Sequence, residues 1–303
     1  MALEWVDCDF CGGSRTTPVF AIRDLKLGLP GEFHLVRCDG CGLLYINPRP
    51  TWGALQEYYP EYYPSFIQFN SSKNPWDGVV RRCRIVSSYQ NGRRLLDVGC
   101  GTGAFLKEMS RFGEWELYGV EPLSVPAQIA REQGNIKIFQ GTLLESDFSS
   151  EFFDVVTWWD VLEHVPNPRA CLRETFRILK PGGWLFVQTP DPGSWEARLF
   201  GPHWIGWDTP RHLYLFSRPV LIRQLEKTGF RIIRVGSFAG NISTVCKSLG
   251  HCLSSRYSKM VGTLLFRAGD SSIIRVVTAP LYILLRRFDL TFAVLYIAQK
   301  PYH

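Results

Sequence analysis

Leu95–Leu106 reads LLDVGCGTGAFL: an apolar run, three glycines within five residues, then the start of an apolar-periodic segment. A glycine-rich turn between a buried strand and a helix is a ligand cradle, because glycine accepts positive φ and lets the backbone approach closely. Two spacings coexist in it. Gly99-x-Gly101-x-x-Ala104 has the form of a dinucleotide fingerprint, with Glu121 standing 20 residues past Gly101 where a ribose-binding acid belongs. Gly99-x-Gly101-x-Gly103 requires no phosphate at all. Asp97 favours the second count, since a carboxylate two residues before Gly99 repels a pyrophosphate and attracts an ammonium. No Lys-Ser/Thr follows the glycines, so the loop is not a nucleoside-triphosphate P-loop.

Outward from this loop, strands and helices alternate. Apolar runs predict strands over 93–98, 117–121, 136–139, 154–159 and 184–188, and periodicity predicts helices over 103–112, 125–132 and 168–179. Lys180-Pro181-Gly182-Gly183 reads as the turn that ends the third helix. A long loop rich in Trp, Pro and His spans 190–214, followed by a helix over 219–228, a strand over 230–235 and a last strand over 292–299. Between those last two strands, residues 239–288 carry an amphipathic helical pattern. Alternation of this kind predicts a parallel sheet covered on both faces, with its ligand at the carboxyl ends of the strands.

LLDVGCGTG, VEP at 120–122 and FDVV at 153–156 together resemble the motifs of class I S-adenosylmethionine-dependent methyltransferases, over roughly residues 93–236. The resemblance implies an α/β, Rossmann-like, doubly wound seven-stranded sheet whose last strand is antiparallel. It implies close backbone approach to the methionine part of the cofactor at Gly99, Cys100, Gly101 and Gly103. Asp97 is then expected to orient the loop or bind the ammonium, Glu121 to accept the ribose hydroxyls, and Pro122 to lie against the adenine. Thr142 or backbone is left to read the adenine amine, because Gly141-Thr142-Leu143 stands where many relatives have an acid. Trp158, Trp159 and Asp160 would line the methyl-transfer end, where an aromatic face stabilises a sulfonium.

DVLEHVPNP and PRHLYLFS resemble the LEHxxxP and HLxxFS signatures of a branch that carries an N-terminal twin-knuckle zinc unit. That branch includes sugar C-methyltransferases and methyltransferases of polysaccharide, glycolipid and secondary-metabolite pathways, and its signatures are shared with ubiquinone-type O-methyltransferases. Two features depart from the sugar enzymes: at this length the chain is not expected to carry their further C-terminal domain, and Arg211 stands where they tend to have an acid. His212, in the late loop, is the first candidate for a general base, with loop bracing as its competing role. His164 and Asp160 are further catalytic candidates; Glu163 and His164 also read as shaping the pocket. His203 is a weaker candidate.

Cys8-x-x-Cys11 and Cys38-x-x-Cys41, each followed by glycine, are two knuckles that supply four thiolates for a tetrahedral zinc. A closed thiolate shell leaves no open position, so the zinc is expected to be structural. His34, between the knuckles, is a possible substitute ligand. The other five cysteines have no metal spacing and read as buried small hydrophobes. The chain divides on this reading into a zinc-ribbon-like unit at 1–48, an aromatic linker or helical flap at 49–92 and a methyltransferase domain at 93–303 with a helical insertion at about 239–288. In the linker, Tyr58, Tyr59, Tyr62 and Tyr63 are expected to pack it onto the main domain or to form a flap.

Residues 201–303 carry a net charge of +10 and residues 1–200 a net charge of −4. Such a basic half admits a plain basic surface, an anionic or lipid-linked glycan substrate, or peripheral contact with an acidic membrane. No basic arm with interleaved aromatics argues for nucleic acid. MALEWVDCDFC has no signal-peptide pattern, and the expected location is cytoplasmic, with the inner membrane surface as the site of any peripheral contact. The expected activity is methyl transfer to a small-molecule or glycosidic acceptor. A non-catalytic zinc-ribbon interaction module and an NAD-dependent oxidoreductase are the competing classes; the chain leaves its oligomeric state open.

Overall fold

The computed structural model describes residues 2–60, 78–89, 92–240, 242–256 and 259–302. Tyr62 and Tyr63 lie outside them. Seven strands build the central sheet: β6 (Arg94–Val98), β7 (Glu116–Glu121), β8 (Ile136–Gln140), β9 (Phe153–Trp159), β10 (Leu179–Pro190), β12 (Arg231–Ala239) and β13 (Ala293–Gln299). Their order is β12-β13-β10-β9-β6-β7-β8, and β13 runs antiparallel to both its neighbours while the pairs from β10 to β8 are parallel. Strand order reverses between β6 and β9, which opens a crevice at their carboxyl ends.

Helices α3 (Ala104–Met109), α4 (Ser124–Arg131), α5 (Pro168–Ile178) and α7 (Arg218–Thr228) make the parallel crossovers and the return to β12. Gly229, at φ 110°, stops α7 in the left-handed conformation that glycine tolerates. Two apolar layers fill the sheet's faces. Trp158, Leu96 and Val156 pack on one side with α5, while Trp159, Leu95, Phe105 and Phe186 pack on the other. This division follows from the two-residue alternation of a strand.

Two local differences from the sequence reading have simple causes. Lys180–Gly183 is not a free turn but part of β10, where pairing with β9 skips from Leu179 to Trp184 as a bulge. The 190–214 loop contains a helix, α6 (Trp195–Phe200), capped by the Ser194 hydroxyl, and two short 3-10 turns.

The N-terminal residues form β2 (Thr16–Arg23), β3 (Glu32–Cys38) and β4 (Leu44–Ile46), and β11 (Tyr214–Leu215) joins β4 as a fourth strand of the same sheet. β1 (Leu3–Glu4) pairs with β5 (Arg49–Pro50), and α1 (Trp52–Gln56) follows, capped by Thr51. α2 (Gly78–Ser88) packs against α3. The insertion between β12 and β13 is three helices: α8 (Ile242–Arg256), α9 (Lys259–Asp270) and α10 (Ser272–Arg287). Among the described residues no single helix is long and apolar enough to cross a membrane.

Candidate active site and zinc centre

A cavity of about 790 Å³ opens at the carboxyl ends of β6, β7 and β9. Its floor is the opening loop. Gly99 and Gly101 take φ of 68° and 53°, and a Cβ on Gly99 would stand 2.5 Å from Val161 Cγ1. The amides of Gly99 and Cys100 both donate to the Val120 carbonyl, at 2.8 and 3.0 Å, stapling the loop to β7. Glu121, at the end of β7, accepts from the Gly101 amide at 2.9 Å and the Leu123 amide at 3.0 Å. One buried carboxylate thus fixes both sides of the crevice, and each oxygen keeps a lone pair for a further donor. Burial raises the Glu121 pKa against these two amide hydrogen bonds.

Register places Asp97 beside Thr157 on β9, and the Thr157 hydroxyl donates to Asp97 Oδ1 at 2.7 Å. Asp97 is buried, and burial pushes its pKa up to about 7. Asp97, Gly99, Cys100, Gly101, Glu121, Pro122 and Thr142 line the cavity together. Gly103 does not. At φ 78° it starts α3, and a Cβ there would meet Ala130 at 3.2 Å, so its smallness serves helix packing rather than ligand approach.

Thr142 is also differently employed than expected. Its amide and hydroxyl both donate to Glu145 Oε2, at 2.7 and 2.8 Å, in a capping box. Glu145 itself lines the cavity, so the turn after β8 brings an acid to that wall. The S/T-x-x-E pattern could have shown this in the sequence.

At the other end of the cavity stand Asp160, His164, Tyr59, Trp52 and Arg82. Asp160, at φ 57°, accepts from Gln188 Nε2 at 2.7 and 2.8 Å and pairs with Arg82 at 2.7 Å. The Arg82 guanidinium lies 4.9 Å from the centre of the Trp159 ring and occupies a face expected to be open to a sulfonium. Trp158 is fully buried, with its indole N–H donating to Thr175 on α5 at 3.3 Å. Trp52 and Arg82 come from α1 and α2, where no motif marked them, and Tyr59 from the linker, where it was expected to pack or to form a flap.

The two histidines form one cluster. His164 Nδ1 lies 3.0 Å from the Arg211 carbonyl and 2.8 Å from the Tyr59 hydroxyl. His212 Nδ1 lies 2.9 Å from the Gly206 carbonyl, and the two rings are 4.6 Å apart, edge to face. Carbonyls only accept, so these partners assign each proton to Nδ1 and leave each Nε2 a lone pair. Burial holds both imidazoles below their usual pKa, His212 down to about 4. Only His164 is on the cavity wall; His212 sits behind it, with Nε2 3.9 Å from Glu163 Oε1 and 3.8 Å from Asp208 Oδ2. Glu163 is buried, its carboxylate oxygens lack hydrogen-bond partners among the described residues, and burial raises its pKa far above the usual range. His203 is half-buried in a 3-10 turn away from the wall.

The four knuckle cysteines converge. Cys8 and Cys41 Sγ are 3.4 Å apart, as are Cys11 and Cys38, and all four sulfurs lie within 4.8 Å of one another. Thiolates at about 2.3 Å from a tetrahedral zinc stand about 3.8 Å apart, so the donor set and its spacing fit the ion. Gly12 and Gly42, at φ 73° and 80°, close the knuckles. His34 is exposed on β3 and is not part of the cluster.

A doubly wound sheet of this order, with a ribose-type acid, a phosphate-free glycine loop and a buried carboxylate beneath it, defines a class I S-adenosylmethionine-binding enzyme. A family model described as a methyltransferase domain matches residues 55–235, and the chain belongs to that family as an S-adenosylmethionine-dependent methyltransferase. It is 31% identical over 178 residues to the ubiquinone biosynthesis O-methyltransferase of Pectobacterium atrosepticum, covering 55% of this chain and 73% of that one. With the same enzyme of Aeromonas salmonicida it shares 39% over 152 residues, 46% of this chain and 64% of that one. Among solved structures it is similar to a Thermotoga maritima SAM-dependent methyltransferase described as a possible histamine N-methyltransferase (TM-score 0.54, 20% identity, 82% and 100% covered). The [4+2]-cyclase SpnF also resembles it (TM-score 0.54, 21%, 84% and 98%). At such identities these two show the fold alone. The oxidoreductase and non-catalytic readings give way to the family.

Proposed function

We propose that the enzyme methylates a hydroxyl of a small-molecule or glycosidic acceptor, of the kind found in polysaccharide, glycolipid or secondary-metabolite pathways. The observation that carries this reading is the continuity of one cavity from Glu121 and the glycine loop to His164, Asp160 and Tyr59. The O-methyltransferase relatives support a hydroxyl acceptor over nitrogen or carbon.

When bound, S-adenosylmethionine supplies a methyl already activated by its sulfonium. Glu121 and Asp97 would hold the donor's ribose and ammonium. Pro122 borders its adenine, with Glu145 and Thr142 at that end. A donor held there would give its methyl to the acceptor oxygen and keep the carbon–sulfur electron pair on sulfur. His164 Nε2, neutral and on the wall, takes the hydroxyl proton. His212, the first candidate on sequence, then acts behind His164 rather than at the acceptor. Asp160 fixes Arg82, whose charge faces the acceptor end.

This reading keeps the unit at 1–48, linker at 49–92 and domain at 93–303, and a cytoplasmic enzyme without nucleic-acid partners. An anionic or lipid-linked glycan acceptor is the finer substrate reading, supported by the basic insertion. An activity screen against phenolic and glycosidic hydroxyls tests the acceptor. In His164→Ala, turnover is expected to fall about 100-fold or more while S-adenosylhomocysteine binds with unchanged Kd. Unchanged turnover would remove His164 as the proton acceptor.

A further inference from the structure

The insertion carries an apolar face turned outward, and it lies outside the 55–235 span of the family match. On α10, Ile273, Val276, Val277, Leu281 and Leu284, with Phe288 just past its end, recur at three- and four-residue spacing, which makes one stripe along a helix. Ile273, Val276 and Val277 are 76%, 69% and 72% exposed, and the other three are exposed as well. Tyr282, between them in sequence, is buried, so α10 is anchored by its opposite side. Met260 and Leu264 add exposed apolar side chains on α9.

The same two helices carry exposed cations. Arg267, Arg275 and Arg287 are exposed, and residues 239–288 contain seven Lys or Arg against one acid, Asp270. An outward apolar stripe on helices that also expose arginines, in a chain half with net charge +10, matches the surface of a bilayer containing anionic lipid.

We propose that α9 and α10 seat the enzyme in the plane of an anionic bilayer, stripe inward to the acyl boundary and arginines at the headgroups. The two arms, Met260–Gly269 and Ile273–Arg287, meet at 71°, and α10 at 16 residues is about 24 Å long, short of a bilayer's hydrocarbon core. Lying in the interface satisfies both limits. A second copy is a poorer occupant, because stripe-to-stripe pairing brings the exposed arginines of two copies together without counter-charge. The seat also adjoins the cavity wall: α10 packs on β12, whose Phe238 carbonyl accepts from Arg81 of α2, the helix that supplies Val79 and Arg82 to that wall.

Co-sedimentation with phosphatidylcholine vesicles, with and without phosphatidylglycerol, tests the seat. The intact protein is expected to pellet with phosphatidylglycerol vesicles at low salt and to be released at high salt. Ile273→Ser/Val276→Ser/Val277→Ser is expected to lower the partition about tenfold or more. Arg275→Glu/Arg287→Glu is expected to abolish the preference for the anionic vesicles. Both variants must still bind S-adenosylhomocysteine, which shows that they are folded and leaves the methyltransferase reading untouched. Failure of the intact protein to pellet at low salt, or equal pelleting by the triple serine variant, overturns the proposal. So does a lipid-free dimer that the triple variant dissolves.

Discussion

Asp97 shows how much one residue's setting can add to its position in a motif. The sequence gives a carboxylate before a glycine loop. The fold buries it beside Thr157 and raises its pKa to about 7, so in the free enzyme the neutral form is populated near neutrality. An ammonium needs the ionised form, which is present above pH 7 and lost below it. Affinity for S-adenosylhomocysteine is therefore expected to weaken as pH falls, by about tenfold between pH 7.5 and 6. Isothermal titration across that range checks it, and Asp97→Asn should bind more weakly and with little dependence on pH. A flat profile for the intact enzyme would show that Asp97 does not meet the ammonium. Gly103 and Thr142 teach the reverse: both sit in the expected motif, yet one packs a helix and the other caps a turn.

The element that joins the parts is the late loop before β11. Arg211 is completely buried and donates to Asp24 at 2.6 and 3.0 Å, to Asp208 at 2.8 Å and to the Tyr58 carbonyl at 3.3 Å, while its own carbonyl holds His164 Nδ1. Lys26 pairs with the same Asp208 at 2.8 Å. Arg211 therefore ties the loop after β2, the end of α1 and the cavity histidine together. The acid that sugar enzymes tend to have here would repel Asp24 and Asp208. Removing one partner of a fully buried pair leaves the other charged and unpaired, so Arg211→Ala should lower stability by about 3–5 kcal/mol, read from the urea midpoint. Asp24→Leu/Arg211→Met should recover much of that loss. Additive losses in the double variant would show that the two residues act separately.

At the scale of the whole molecule, the zinc knuckles are built into the methyltransferase. β11 completes the N-terminal sheet, Phe10 stacks on Phe216 at 5.4 Å, Asp9 accepts from the Arg169 amide at the start of α5, and Arg49 reaches Pro166 and Tyr214. Loss of the metal should therefore be felt beyond the first 48 residues. Purified protein is expected to carry one zinc per chain by metal analysis. Stripping it with a strong chelator should lower Tm by about 10 °C or more. If Tm and S-adenosylhomocysteine binding survive complete removal, the knuckles do not support the fold.

Much of this was legible along the chain, because periodicity, glycine spacing and cysteine pairs are local signals. The alternation of strands and helices, the acid that ends β7, the glycine turn and the paired cysteines all follow from residues near one another in sequence or from motifs that fix backbone geometry. The acceptor end was legible only in part: Asp160, His164 and Tyr59 were singled out by motif or composition, whereas Arg82 and Glu145 were not. Tyr59, Arg82, Asp160, His164 and Glu145 share a wall only because distant segments fold over the strand ends, and His212, the first choice by residue type, was shifted behind His164 by packing. The outward stripe on α10 was visible as periodicity, but periodicity cannot tell which face of a helix is covered. Sequence fixes what each residue can do; the tertiary fold decides which neighbours, and how much water, it meets.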